Sequence, residues 1–178
     1  MSNLKLFLPD AEATVELGHM IGALVDAGQG PQAFMLYGDM GGGKTTLMRG
    51  LVTALPGSDD AEIASPSFTI VNVYNTVPLV YHADLFRCPP GLGIPEELEE
   101  ALDACADGGG KNCARVCIEW PDHLPAYVMP AKRLDILLEP CQGSRRFSAV
   151  AHGDAARDMC AALCDVVLRT RPDWLQDS

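Results

Sequence analysis

Short apolar runs and helix-spaced apolar stripes take turns along this chain. Leu4 to Leu8 reads as a strand ended by Pro9. Asp10 then offers an N-cap, with Glu12 in the first turn, where an acid meets the positive end of a helix dipole. Val15, Met20, Ile21, Leu24 and Val25 supply the apolar stripe of that helix, and Gly28 and Gly30 end it. Ala33 to Tyr37 is apolar throughout, the pattern of a strand covered on both faces in a parallel sheet. A glycine-rich turn follows, then a helix from Lys44 to Leu55 and a loop over Pro56 to Asp60.

Phe68 to Tyr74 and Val77 to Ala83 read as two strands with only Asn75 and Thr76 between them, which predicts an antiparallel hairpin. Three prolines and two glycines within residues 88–95 mark a loop. Glu96 to Cys105 reads as an acidic helix with Leu98 and Leu102 on one face, and residues 106–112, with three consecutive glycines, as a flexible loop. Arg115 to Glu119, Leu134 to Leu138 and Phe147 to Ala151 are further strands, and Asp154 to Leu168 a closing helix. No segment repeats. Strands alternating with helices predict one α/β domain over residues 1–178, a three-layer sandwich on a mostly parallel sheet with an antiparallel hairpin insert.

Composition narrows the partners more than the fold. Apolar residues make up 48% and charged residues 21% of the 178, a globular balance in a chain long enough to bury a core without disulfides or a structural metal. The formal net charge is −11, so the chain repels polyanions at long range. Binding to DNA, direct binding to tRNA and binding to an anionic membrane are not expected; Lys132-Arg133 and Arg145-Arg146 are small local exceptions. No apolar run approaches the roughly 18 residues of a membrane span. Met1 to Lys5 lacks the pattern of a secretory leader. The seven cysteines are an odd number with no framework spacing, which suits a reducing cytoplasm.

The chemistry begins at Gly38-Asp39-Met40-Gly41-Gly42-Gly43-Lys44-Thr45, followed by Thr46. The segment satisfies G-x-x-x-x-G-K-S/T at every position, with a strand before it and a helix after it. Its glycines let backbone N–H groups converge on phosphate oxygens with no Cβ in the way. The helix N-terminus adds partial positive charge. Lys44 is expected to reach the β- and γ-phosphates of a nucleoside triphosphate, and Thr45 to bring its hydroxyl to magnesium. This is a P-loop.

A P-loop also needs a second magnesium-holding acid and a group that orients the attacking water. Two strands end in a carboxylate: Val116-Cys117-Ile118-Glu119 and Val80-Tyr81-His82-Ala83-Asp84. Each acid either serves the site or caps its strand at the surface. His82, on an apolar strand, reads as a packed or hydrogen-bonded core histidine before a catalytic base. Cys113-x3-Cys117 and Cys160-x3-Cys164 differ from the C-x2-C spacing common in zinc sites and read as small buried apolar residues. The acidic face of Glu96 to Asp103 reads as solvated.

Taken in order, several segments resemble the TsaE family, the bacterial ATPases of tRNA threonylcarbamoyladenosine biosynthesis. Ala13-Thr14 with Leu17-Gly18 is similar to the family's first helix. Gly38 to Thr46 is close to G-D-L-G-A-G-K-T-T, with Arg49-Gly50 following. Ser65-Pro66-Ser67-Phe68-Thr69-Ile70-Val71 is similar to S-P-T-F-T-L-V, and His82-Ala83-Asp84-Leu85-Phe86-Arg87 to H-x-D-L-Y-R. Pro95-Glu96-Glu97-Leu98-Glu99 matches P-E-E-L-E, and Ile118-Glu119-Trp120-Pro121 matches I-E-W-P. The set runs from about residue 10 to 121. Two departures stand out. Gly42 occupies a position where the family often has Ala, and Asn72 one where it usually has Glu.

The resemblance implies ATP as substrate, with Thr45 and Glu119 holding Mg2+ and Asp84 acting in hydrolysis on the water or through the metal. It implies a switch over Ser65, Pro66, Ser67, Phe68 and Thr69 that senses the γ-phosphate, and Trp120 beside the nucleotide. Thr14 and Arg146 are further nucleotide contacts it suggests, with Arg145 the alternative to Arg146. It implies two partner proteins, TsaB and TsaD, through which the chain meets tRNA. ATP hydrolysis would reset their complex between turnovers. A P-loop small-molecule kinase is the alternative, but the arginine-rich lid usual there has no counterpart before Arg145-Arg146. A GTPase would carry N-K-x-D, which is absent.

Overall fold

The computed structural model describes residues 3–59, 61–89, 93–106 and 113–175. The triple-glycine segment 107–112 and part of the loop expected over 88–95 lie outside the described residues. Among these residues, one sheet contains β1 (Asn3–Leu8), β2 (Ala33–Tyr37), β3 (Val71–Tyr74), β4 (Val80–Asp84), β5 (Arg115–Glu119), β6 (Arg133–Cys141) and β7 (Ser144–His152). The strand order is β1-β7-β6-β2-β5-β4-β3. β6, β2, β5 and β4 run parallel at the centre, while β7, β1 and β3 add antiparallel pairings toward the edges.

Side chains alternate across a strand, so the central strands feed two cores. Phe34 and Leu36 of β2 share a buried cluster with Leu17 of α1 (Ala11–Asp26), Leu51 of α2 (Lys44–Thr53) and Leu163 of α4 (Asp154–Thr170). Ala33 and Met35 share the other with Leu98 and Leu102 of α3 (Glu96–Ala106). Helices therefore cover both faces, giving the three layers that the alternation of elements predicts. Among the described residues no helix is long and apolar enough to cross a membrane.

Two local features hold α2 in place beneath the glycine turn. Asp10 caps α1, its carboxylate accepting the Ala13 N–H at 2.7 Å. α1 then crosses α2 at contacts that exclude a side chain. A Cβ on Gly18 would stand 2.3 Å from the Leu47 carbonyl oxygen, and one on Gly50 2.0 Å from that of Val15.

The strand boundaries differ from the sequence expectation in two places. The strand expected from Phe68 begins at Val71. Ile70 takes φ 67°, and its N–H turns back to the Pro66 carbonyl at 2.6 Å, so residues 67–70 form a turn. Its partner begins at Val80, not Val77. Pro78 has no N–H for the ladder, and the Val77 N–H bonds to the Pro56 carbonyl at 2.9 Å. The connection therefore spans residues 75–79, though the antiparallel pairing is as expected. β6 and β7 are longer than expected and form a second hairpin. Its tip, Gln142-Gly143, has φ 45° and 87°, both positive as in a type I′ turn.

Candidate nucleotide site

Three parallel strands end together. β2 runs into the P-loop, β4 ends at Asp84 and β5 at Glu119, with Glu119 in register with both Leu36 and Asp84. In open α/β sheets ligands bind outside the carboxyl ends of the strands.

The loop's shape depends on its glycines. Gly38 and Gly43 have φ of 125° and 107°, a region side chains rarely adopt. A Cβ on Gly38 would also stand 2.2 Å from the Leu138 carbonyl oxygen, and one on Gly43 2.7 Å from Arg145 Nε. α2 starts at Lys44 with no side-chain cap, which leaves first-turn N–H groups free for an anion.

Lys44 is 4% exposed. Its Nζ donates to the carbonyls of Gly38 at 2.7 Å and Asp39 at 3.0 Å, lies 4.0 Å from Glu119 Oε2, and sits 4.5 Å over the Trp120 ring. Burial lowers the pKa of the ammonium, and the carboxylates of Glu119, Asp84 and Asp39 oppose that shift.

Glu119 is the hub. Its Oε1 accepts the Thr45 hydroxyl at 3.0 Å and lies 2.9 Å from His82 Nε2. An ionised carboxylate only accepts, so Nε2 carries the proton; the buried Nδ1 has no partner among the described residues. His82 is thus the buried, hydrogen-bonded histidine that the sequence suggests. It also orients Glu119, a task its position on an apolar strand does not reveal.

Asp84 is held just as firmly. Oδ2 accepts the Ser65 hydroxyl at 2.7 Å, and Oδ1 accepts the Phe86 N–H at 3.0 Å. The Asp84 N–H donates to the Ile70 carbonyl at 2.9 Å. Residues 65 and 70 are therefore both fastened to Asp84. Between them Ser65 and Ser67 share a hydroxyl contact of 2.9 Å, and Thr69 donates to Asn72 Oδ1 at 2.8 Å. Asn72 thereby ties down the end of this segment through a neutral amide. Trp120 takes φ 59°, left-handed backbone of the kind found at functional sites, and its ring lies 5.0 Å from that of Phe86.

These groups line a cleft of about 370 Å³ whose walls are Gly41, Lys44, Thr45, Ser65, Ser67, Asp84, Glu119 and Trp120, with Met40, Phe86 and Arg87 on its exposed side. Pro66, Phe68 and Thr69 belong to the adjoining turn, and Thr46 to the first turn of α2. Two expected contacts are not brought together with them. The Thr14 hydroxyl is buried and donates to the Asp10 carbonyl at 3.1 Å. Arg146 is exposed, and strand alternation sends it to the face opposite Phe147 and Ala149. Arg145 shares the face of Phe147, lies against Gly43, and has a buried Nε without a partner among the described residues. Among the described residues no cysteine forms a disulfide. Burial pushes Cys117 up to about 12, so it is an inert core thiol at neutral pH.

A family model described as threonylcarbamoyl adenosine biosynthesis protein TsaE matches residues 8–147. The chain belongs to the TsaE family. Its TsaE relatives include the protein from Nostoc sp., 35% identical over 160 residues that cover 88% of this chain and 91% of the relative. The Bacillus subtilis protein is 30% identical over 168 residues, covering 92% and 95%. Both are described as tRNA threonylcarbamoyladenosine biosynthesis protein TsaE. The crystal structure of Bacillus subtilis YdiB superposes with a TM-score of 0.70 at 25% identity, covering 92% of this chain and 95% of that one. The TsaE match extends into β7 as far as Phe147, beyond the motifs ending at Pro121, and so takes in Arg145.

Proposed function

We propose that this chain is a magnesium-dependent ATPase subunit that supports a TsaB–TsaD complex in modifying the anticodon-loop adenosine of tRNA, and that it works in the cytoplasm. The observation that carries this reading is the convergence on Glu119: the P-loop lysine, the P-loop threonine and His82 all meet one buried carboxylate, with Asp84 beside it on the next strand.

The donor set fits a hard cation. Thr45 offers a hydroxyl and Glu119 a carboxylate, both oxygen ligands of the kind magnesium prefers, and Asp84 is a further acid of the same cleft. Magnesium held there would neutralise charge on the β- and γ-phosphate oxygens. Lys44 adds a fixed positive charge, exchanging its bonds to Gly38 and Asp39 for phosphate oxygens. Arg145 contributes a second cation beside Gly43, the role the resemblance assigns to Arg145 or Arg146. Asp84, held by Ser65 and the Phe86 N–H, orients the attacking water and accepts its proton. Water forms the new bond to the γ-phosphorus, the bond to the β–γ bridging oxygen breaks, and ADP departs with that electron pair. Residues 65–70, fastened to Asp84, shift when the γ-phosphate is lost, as switch segments of triphosphatases do.

The test is phosphate release from ATP by the purified chain without any acceptor, alone and with the TsaB–TsaD pair. Slow release whose rate changes on adding the pair is expected. No release in either condition would overturn the reading.

A further inference from the structure

Ser65 holds one oxygen of Asp84, but the other depends on a turn. The Phe86 N–H donates to Asp84 Oδ1 at 3.0 Å, and it is aimed by the turn over residues 85–88, which the Cys88 N–H closes on the Leu85 carbonyl at 2.9 Å. A side chain from another element reaches into the same turn. His123 Nδ1 lies 2.8 Å from the Leu85 carbonyl oxygen and 2.8 Å from that of Cys88. Carbonyl oxygens only accept, so Nδ1 carries the proton and donates to both. His123 is half-buried and ends the 3-10 turn Pro121–His123 that follows β5. Its own N–H donates to the Trp120 carbonyl at 3.0 Å, and the Trp120 N–H to that of Leu36 at 3.3 Å. The imidazole is thus anchored to β2 and β5, and it pins the turn that follows β4.

We propose that His123 is a positioning residue for ATP hydrolysis: its Nδ1–H fixes the 85–88 turn so that the Phe86 N–H holds the Asp84 carboxylate in the orientation that water activation requires. His123 is not among the residues that border the cleft, so it acts through the turn and not on the nucleotide. The leverage is geometric. A reacting group displaced by a fraction of its contact distance loses much of its effect, even when the change that displaces it lies away from the chemistry. The Leu85 N–H, bonded to the Glu119 carbonyl at 3.1 Å, ties the start of the turn to the neighbouring strand end. His123 ties down its far end at Cys88. The ring also lies 6.3 Å from that of Trp120, which offers a second route to the site. Chemistry separates the two routes. Asparagine places an amide N–H where Nδ1–H stands but has no ring, whereas glutamine carries its amide N–H out toward the position of Nε2.

This inference rests on the proposed ATPase reading, in which Asp84 orients the water, and one experiment separates the two. Phosphate release from Mg-ATP by the full chain, with the TsaB–TsaD pair present, gives kcat and KM. The chains compared are wild type, His123→Ala, His123→Asn, His123→Gln, Asp84→Asn and the double variant Asp84→Asn/His123→Ala, each checked for folding by circular dichroism. His123→Ala and His123→Gln are expected to lose about 10- to 100-fold in kcat, the scale of losing a group that orients a catalytic one. His123→Asn should retain most of the wild-type turnover. In the Asp84→Asn background His123→Ala should cost less than about twofold more, because two residues acting through one interaction are not additive. Wild-type turnover in His123→Ala or His123→Gln overturns the positioning role and leaves the ATPase reading standing. So does the same loss in both backgrounds, which would place the effect away from Asp84. A loss confined to KM overturns it by assigning His123 to nucleotide binding, and an asparagine variant as impaired as alanine overturns it in favour of the ring contact with Trp120. If His123→Ala does not fold, the comparison of asparagine with glutamine decides. A wild-type chain without turnover contradicts the ATPase reading, and the positioning role with it.

Discussion

At the scale of single residues, the division of labour in the cleft follows from what each side chain touches. Lys44 and Thr45 stand at the start of α2 and meet Glu119, whereas Asp84 is oriented by Ser65 and a backbone N–H. Ground-state affinity for ATP should therefore come mainly from the P-loop, and Asp84 should matter most when water attacks. Asp84→Asn keeps the shape but loses charge and basicity. It should lower turnover by about 10²-fold or more, as the loss of a general base does, while calorimetry finds ATP affinity nearly unchanged. Turnover equal to wild type would reduce Asp84 to a strand-end acid. Lys44, Thr45, Asp84 and Glu119 were legible because a motif, or a carboxylate at the end of an apolar strand, singles them out. The choice between Arg145 and Arg146 was legible only in principle. Phe147 and Ala149 set the inward parity of β7, and that parity puts Arg145, not Arg146, on the side of Gly43. The His82–Glu119 contact was hidden, because it depends on two strands distant in sequence lying side by side in register.

At the scale of elements, the crossing of α1 and α2 positions the phosphate-facing end of α2. An alanine at Gly50 would bring its Cβ to 2.0 Å from the Val15 carbonyl oxygen, a backbone atom that side-chain rotation cannot move aside. Gly50→Ala should therefore destabilise by about 1–3 kcal/mol despite the better helix propensity of alanine. Thermal unfolding should fall by roughly 2–4 °C per kcal/mol in a chain of this size. An unchanged melting temperature would show that the helices separate at little cost. The helices and central strands were readable from apolar period and length. The turn at 67–70 was not. Phe68, Ile70 and Val71 look like strand residues, yet Ile70 at φ 67° reverses the chain, and what holds it there is tertiary: the Asp84 N–H bonded to its carbonyl. β6 was underestimated because Pro140 breaks the local strand pattern, although the Gln142-Gly143 tip lets the ladder continue to Cys141 and Ser144.

At the scale of the whole molecule, charge and family membership point the same way. A net charge of −11 leaves scattered basic residues outnumbered in front of a polyanion, and physiological salt screens what attraction remains. The isolated chain should show no measurable tRNA affinity in filter binding at physiological salt, and binding that weakens steeply as salt rises would contradict an indirect link. Membership of the TsaE family and a site built around Glu119 then make one claim central: nucleotide turnover here sustains threonylcarbamoyladenosine on tRNA. Mass spectrometry of digested tRNA from a strain lacking this chain tests that most directly, with the strain complemented by wild type or by Lys44→Ala. The account predicts that the modified nucleoside disappears, returns with wild type and stays absent with Lys44→Ala; full modification in the deletion strain, or full restoration by Lys44→Ala, would contradict it.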